Sequence, residues 1–214
     1  MNDLPEDNKD QTPAPQRGRR PSKDTLNLVI AVCAVLISAA SFVASYMQSE
    51  AAFRQVQAET WPYLQIESGN TNGTGVDHDR FITYRLANVG VGPADVKSFE
   101  LYYEGNHIKT INDLMPLCCM TVGEGYNEQL RAAGFVTSTP APKILASGGN
   151  AYVFGLPLRD HNSELWSKLD RARFELKAKA CYCSLLGECY ETDFVSSPVE
   201  VTMCRVKPEL NYKG

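Results

Sequence analysis

The sequence predicts a mainly β protein in which a single N-terminal transmembrane helix precedes an antiparallel β-sandwich with one or two short helices. Three observations predict it: an uncharged apolar run from Thr25 to Ser49, alternation of apolar and polar residues in short segments after Trp61, and Gly-, Pro- and Asn-rich breaks between those segments. The part beyond the run, about 150 residues, has the size of one domain.

The apolar run is entered from Arg17, Arg19, Arg20 and Lys23 and left toward Glu50. Its core, Leu26 to Tyr46, has roughly the 20 residues that a helix rising about 1.5 Å per residue needs to cross about 30 Å of hydrocarbon. A backbone in lipid must satisfy its own hydrogen bonds, so the run is expected to be helical. The basic residues ahead of it, against Arg54 alone just after it, keep the N-terminus in the cytoplasm. A cleaved signal peptide would have an apolar region of about 7 to 15 residues ending at small residues, and this run is longer. Arg19-Arg20 continues as Pro21-Ser22-Lys23-Asp24, which suits topogenic charge better than a twin-arginine export signal.

Residues 1–24, with Pro5, Pro13, Pro15 and Pro21 among polar neighbours, read as a disordered cytoplasmic tail. Residues 25–49 read as the transmembrane helix, and 50–60, rich in helix formers, as a juxtamembrane helix that stops ahead of Pro62. Residues 61–214 read as the sandwich ectodomain. Ala34, Ser38, Ser41 and Ser45 share one face of the span, a small-residue surface of the kind that makes a homodimer possible, though small residues are frequent in all membrane helices.

Trp61-Pro62-Tyr63-Leu64 starts extended, because the residue before a proline avoids the α region. Ser68 to Asp79 is a Gly/Asn/Asp loop. Ile82, Tyr84 and Leu86 then alternate with Thr83 and Arg85, the pattern of a half-solvated antiparallel strand. Asn88 to Ala94 breaks the pattern, Phe99, Leu101 and Tyr103 resume it, and Glu104-Gly105-Asn106 turns. Further strands are expected at 151–154, at 173–181 with Phe174, Leu176, Ala178 and Ala180 on one face, and at 189–194 and 199–206. Leu165, Trp166 and Leu169 at helical spacing place a helix over 162–171, capped by Asn162 or Ser163, and another short one falls around 127–133. Short strands, turn-rich breaks and little helix are the signature of an immunoglobulin-like sandwich.

Trp61-Pro62-Tyr63-Leu64 just after the helix, together with Tyr182-Cys183-Ser184-Leu185-Leu186-Gly187-Glu188-Cys189-Tyr190, resembles a group of uncharacterised bacterial single-pass membrane proteins, over most of the chain from Leu26 on. Asn88-Val89-Gly90-Val91-Gly92-Pro93-Ala94 is similar to the Asn-x-Gly-x-Gly-Pro-Ala turn between early strands of many immunoglobulin-like bacterial domains. The resemblance implies an anchor in the bacterial inner membrane and a periplasmic sandwich, and it brings no catalytic residues. The chain departs from the group in having more cysteines than its motif requires.

Of seven cysteines, Cys33 lies in the span, where a thiol is a small apolar group. Cys118, Cys119, Cys181, Cys183, Cys189 and Cys204 fall in the exported part, and an even number in an oxidising compartment reads as disulfides. A three-residue loop of Leu185, Leu186 and Gly187 would set Cys183 opposite Cys189 and make that bridge the low-strain choice. Cys181 shares a strand face with Cys183 and is expected to reach Cys118 or Cys119, leaving Cys204 for the other of the two. This is one of 15 pairings open to six cysteines. The alternative is thiol or metal handling: Cys118-Cys119 beside Met115 and Met120 for Cu(I), or the pair joined by Cys181 and Cys183 as four thiolates for zinc. Neither has C-x-x-C spacing, which favours disulfides.

His78, His107 and His161 sit in polar, turn-like settings that predict solvent-exposed imidazoles. No G-x-S-x-G elbow supports a triad from Asp160, His161 and Ser163, and Gly123-Glu124-Gly125 and Gly148-Gly149 complete no phosphate loop. Asn72-Gly73-Thr74 matches a glycosylation sequon, which matters only in a eukaryotic secretory pathway. With 25 acidic against 21 basic residues and a net charge of −4, nucleic acid is not an expected partner. The expectation is a non-enzymatic envelope protein without a cofactor or a resident metal. It meets the bilayer through one helix and binds a protein or envelope component through its sheet face or loops, with Tyr84, Tyr102, Tyr103, Tyr126 and Tyr152 as candidate surface aromatics.

Overall fold

The apolar run and the helix formers after it make one uninterrupted α-helix, α1 (Lys23–Glu59), in the computed structural model, which describes residues 22–71 and 80–214. The basic residues at 17–20, the Asn72 sequon and His78 lie outside the described residues. The chain divides into two compact units, one ending at Ala52 and the other running from Phe53. No residue of α1 is buried, and by length and composition the helix is able to cross a membrane. Its 37 residues span about 55 Å at about 1.5 Å each, longer than the roughly 30 Å of a bilayer's hydrocarbon core. Ser38 Oγ donates to the Ala34 carbonyl (2.8 Å), the local bond by which a hydroxyl is satisfied without water. At the far end Thr60 N and Oγ1 both donate to the Val56 carbonyl (3.0 and 2.8 Å), and Pro62 stops the ladder.

The second unit carries two antiparallel sheets. One has the order β1-β2-β7-β5, from β1 (Leu64–Gly69), β2 (Phe81–Asn88), β7 (Asn150–Pro157) and β5 (Val136–Thr137). The other runs β10-β9-β8-β3, from β10 (Val199–Val201), β9 (Cys189–Thr192), β8 (Leu176–Cys183) and β3 (Ala94–Tyr103). Two short strands, β4 (Asn106–Ile108) and β6 (Lys143–Leu145), share the remaining edge of β3.

The alternation read from the sequence sets the inner faces. Ile82, Tyr84 and Leu86 of β2 join Phe99, Leu101 and Tyr103 of β3 and Ala178, Ala180 and Tyr182 of β8 in one apolar cluster. Tyr84 stacks on Phe154 at 5.3 Å between ring centres. Burying each large apolar side chain contributes about 1.5–3 kcal/mol, so this cluster is what holds the layers together. Tyr84 and Tyr103 therefore belong to the core, whereas Tyr102, Tyr126 and Tyr152 stay half-exposed.

Three helices complete the cluster: α2 (Ile111–Cys118), α3 (Tyr126–Ala133) and α4 (Ser163–Ala172) bring in Leu114, Met115, Leu130, Trp166 and Leu169. Several sequence expectations need correction. Phe174 is exposed in a turn rather than on a strand face, because 3₁₀-type bonds from Phe174 N to Arg171 O and from Glu175 N to Ala172 O close α4 first. The Asn162 side chain does not cap α4. Its amide is buried and bridges the Ala133 and Pro157 carbonyls (3.1 and 2.9 Å), tying α3 to the end of β7. The strand expected over 199–206 ends at Val201, and the chain beyond it reaches β3, where Tyr212 N donates to the Phe99 carbonyl (2.9 Å) and Asn211 Oδ1 accepts from Phe99 N (3.1 Å).

Candidate functional site

The β8–β9 hairpin is built around Leu185, Leu186 and Gly187. Gly187 takes φ +93°, Ser184 N donates to Glu188 O (2.7 Å), and the register sets Cys183 opposite Cys189. The two are bonded, with Cα atoms 3.9 Å apart. Cys181, one pleat period back on the same outward face, is bonded to Cys204 of the C-terminal segment, with Cα atoms 5.6 Å apart. The two disulfides lie side by side: Cys183 Sγ is 3.9 Å from Cys204 Sγ.

Cys118 and Cys119 are bonded to each other. This overturns the expected bridges from Cys181 and Cys204 to the vicinal pair. The cause is α2, whose last turn sends both Cys119 N and Met120 N onto the Met115 carbonyl (2.9 and 2.8 Å). Cys119 then lines a hollow of about 590 Å³ with His161, Leu165 and Lys168. The four-thiolate set of Cys118, Cys119, Cys181 and Cys183 is accordingly not assembled. The sulfurs that do come together are those of Cys183, Cys189 and Cys204, all within 4.8 Å of one another.

Between the C-terminal segment and the outward face of the second sheet lies a groove of about 780 Å³, lined by Ser98, Glu100, Tyr102, Lys179, Cys181, Glu191, Asp193, Arg205 and Lys207. Its charges are mixed. Tyr102 donates to Glu100 Oε2, and this bond first, with burial adding to it, pushes the phenol up to about 12. Asp193 accepts from the Ser196 and Val195 N–H groups (2.9 and 3.0 Å) and from Ser196 Oγ (2.9 Å), which hold its carboxyl down at about 2. Both groups therefore keep fixed charge states at neutral pH. Leu210 also lines the groove, and its carbonyl accepts from His107 Nε2 (2.6 Å). His107 is thus a partly buried strut rather than the solvated imidazole expected. His161, which is exposed, donates to the Ala132 carbonyl (3.0 Å).

The Trp-Pro-Tyr, Asn-x-Gly-x-Gly-Pro and Cys-Tyr motifs converge at the start of β1. Asn88 is fully buried, and its Oδ1 accepts from Tyr63 N (3.2 Å) and Gly90 N (3.1 Å). Its Nδ2 faces the carbonyls of Gly92 (2.8 Å), Leu145 (3.1 Å) and Ala146 (3.2 Å). Gly90 and Gly92 leave no space for a side chain: a Cβ on Gly90 would stand 2.3 Å from Tyr63 N, and one on Gly92 1.9 Å from Thr60 O. Pro62 is buried between these contacts, and Pro93 follows at the edge of the turn. The Trp61 ring meets Tyr63 and Tyr190 edge-on at 5.4 and 6.5 Å, and Gln57 Nε2 donates to Glu188 Oε1. Nothing in the periodicity signals that the Trp-Pro-Tyr, Asn-x-Gly-x-Gly-Pro and Cys-Tyr motifs touch, since all three contacts are non-local. The groove was equally hidden, because it depends on where the irregular C-terminal segment lies. No protein-family model, curated protein or solved structure matches the chain.

Proposed function

We propose that the chain is a non-enzymatic protein of the bacterial inner membrane, with a cytoplasmic N-terminus and a periplasmic sandwich that binds a protein or envelope component in the groove over its second sheet. The observation that carries this reading is the combination of an apolar helix with no buried residue and a domain whose six cysteines are all paired. Disulfides persist in oxidising compartments, and Arg17, Arg19, Arg20 and Lys23 ahead of the helix favour export of the domain on its far side. The sheet orders support an immunoglobulin-like domain: β1-β2-β7-β5 parallels the A-B-E-D sheet, and β9-β8-β3 the G-F-C sheet, of a constant-type sandwich. The groove's three acids and three bases, Glu100, Glu191, Asp193, Lys179, Arg205 and Lys207, suit a polar ligand of mixed charge such as a peptide segment. The small-residue face at Ala34, Ser38, Ser41 and Ser45 offers a packing surface for a second copy within the bilayer.

A membrane-impermeant maleimide applied to intact cells, with and without mild prior reduction, tests the placement. Labelling only after reduction is the expected result, and labelling that needs cell lysis would refute the topology. For the binding reading, a photocrosslinking residue in place of Lys179 should give one discrete envelope adduct, whereas the same probe in place of Glu67 on the other sheet should not. Equal yields from both positions would count against the groove.

A further inference from the structure

We propose that, once reduced, Cys181, Cys183, Cys189 and Cys204 form a four-thiolate site for zinc(II). In a tetrahedral zinc–thiolate centre with Zn–S near 2.3 Å, neighbouring sulfurs stand about 3.8 Å apart. The Cys183 and Cys204 sulfurs are already 3.9 Å apart, and Cys189 Sγ lies within 4.8 Å of both. The fourth sulfur, that of Cys181, is bonded to Cys204 but stands outside this three-sulfur group, so on reduction it has to swing toward Cys183 and Cys189.

Each disulfide takes two electrons and two protons from a dithiol, which leaves as its own disulfide. Four thiols result, and zinc(II) binding displaces their protons, because the thiolate is the ligand. Opening the two S–S bonds then requires each bonded pair to separate to about the edge length that Cys183 and Cys204 already have, and Cys181 Sγ to turn in toward Cys183 and Cys189. The backbone allows it. Cys204 sits in the irregular segment past β10 and Cys189 opens β9 two residues after the turn residue Gly187, while Cys181 and Cys183 lie on β8. Cys181, Cys183 and Cys189 are buried and Cys204 is partly exposed, which shields the site yet leaves one side open to an incoming ion. Four thiolates around a dication carry a net charge of −2, and Lys179, Arg205 and Lys207 line the groove beside Cys181, together with Glu100, Glu191 and Asp193.

The test uses the full chain in detergent, reduced by a phosphine under anaerobic conditions. Zinc(II) is added, remaining thiols are alkylated, and the labelled positions are read by mass spectrometry. The expected result is one zinc per chain, with Cys181, Cys183, Cys189 and Cys204 protected and Cys118 and Cys119 labelled. Cobalt(II) in place of zinc should give the thiolate-to-metal charge-transfer band of a four-sulfur centre. Cys204→Ser should weaken binding at least about tenfold, the scale on which lesser changes around metal ligands act, and Cys118→Ala with Cys119→Ala should leave it unchanged. Labelling of all four cysteines in the presence of zinc, protection of Cys118 and Cys119 instead, or full-strength binding by the Cys204→Ser chain would each overturn the proposal. The protection map of the unaltered chain decides the matter even where a variant fails to fold.

Discussion

Asn88 shows how much one side chain can organise. With both amide atoms engaged and no exposure, it holds the start of β1, its own turn and the β6–β7 connection together. Replacing it by Ala leaves the Tyr63 and Gly90 N–H groups, and up to three carbonyls, buried without their partner, and each such loss costs about 1–3 kcal/mol before relaxation. Asn88→Ala is therefore expected to destabilise the domain by about 3 kcal/mol, read as a lower urea midpoint at unchanged slope. Gly92→Ala should be at least as damaging, since its Cβ would overlap the Thr60 backbone. A loss below about 1 kcal/mol in either variant, within the range of an ordinary surface change, would show that the turn is not the tie it looks. The motif itself was legible, because two glycines and a proline after a strand announce a tight turn. Its partners were not, because they come from positions far away in the chain.

At the level of elements, α2 is the instructive miss. Thr110-Ile111-Asn112-Asp113 is a capping signature, and Asp113 Oδ2 does accept from Thr110 N (2.8 Å) and Lys109 N (3.0 Å), but Pro116 reads as a break. The proline is tolerated because the carbonyl it cannot serve, that of Asn112, accepts from Tyr126 Oη instead (3.3 Å). Asp113→Ala should cost about 1 kcal/mol by thermal or urea unfolding, and Tyr126→Phe about 0.5–1 kcal/mol, the net value of one hydrogen bond. The turn after β9 gives a pH signature. Asp193 has its carboxyl lowered from 3.8 to about 2 by N–H donors, so its contribution is fully present above pH 4 and fades as the pH falls from there toward 2. Unfolding midpoints measured from pH 5 to 2 should fall more steeply for the parent than for Asp193→Asn, and parallel curves would remove Asp193 from the account.

For the molecule as a whole, the strand faces were legible because alternation is a local pattern, and the continuous helix because length and composition decide it. The pairing of cysteines was legible only where a hairpin register dictated it, at Cys183 and Cys189. Cys181 and Cys204 depend on how the C-terminal segment lies over the second sheet, and Cys118 and Cys119 on a helix end that was not foreseen. The three bridges should accordingly differ in value. Cys181–Cys204 closes a separation of 23 residues and ties down a segment whose own strand, β10, has three. By chain entropy such a loop is worth about 3 kcal/mol, whereas a vicinal bond closes almost no loop and is worth under about 1 kcal/mol. Cys181→Ala with Cys204→Ala should therefore lower stability by about 2 kcal/mol or more beyond Cys118→Ala with Cys119→Ala, in which the loss is mainly the packing of the buried Cys119. Urea unfolding under non-reducing conditions, with the same detergent for both, measures the difference. Similar midpoints for the two double variants would mean that the Tyr212 and Asn211 bonds to Phe99 already hold the C-terminal segment in place, and that the disulfide adds little to them.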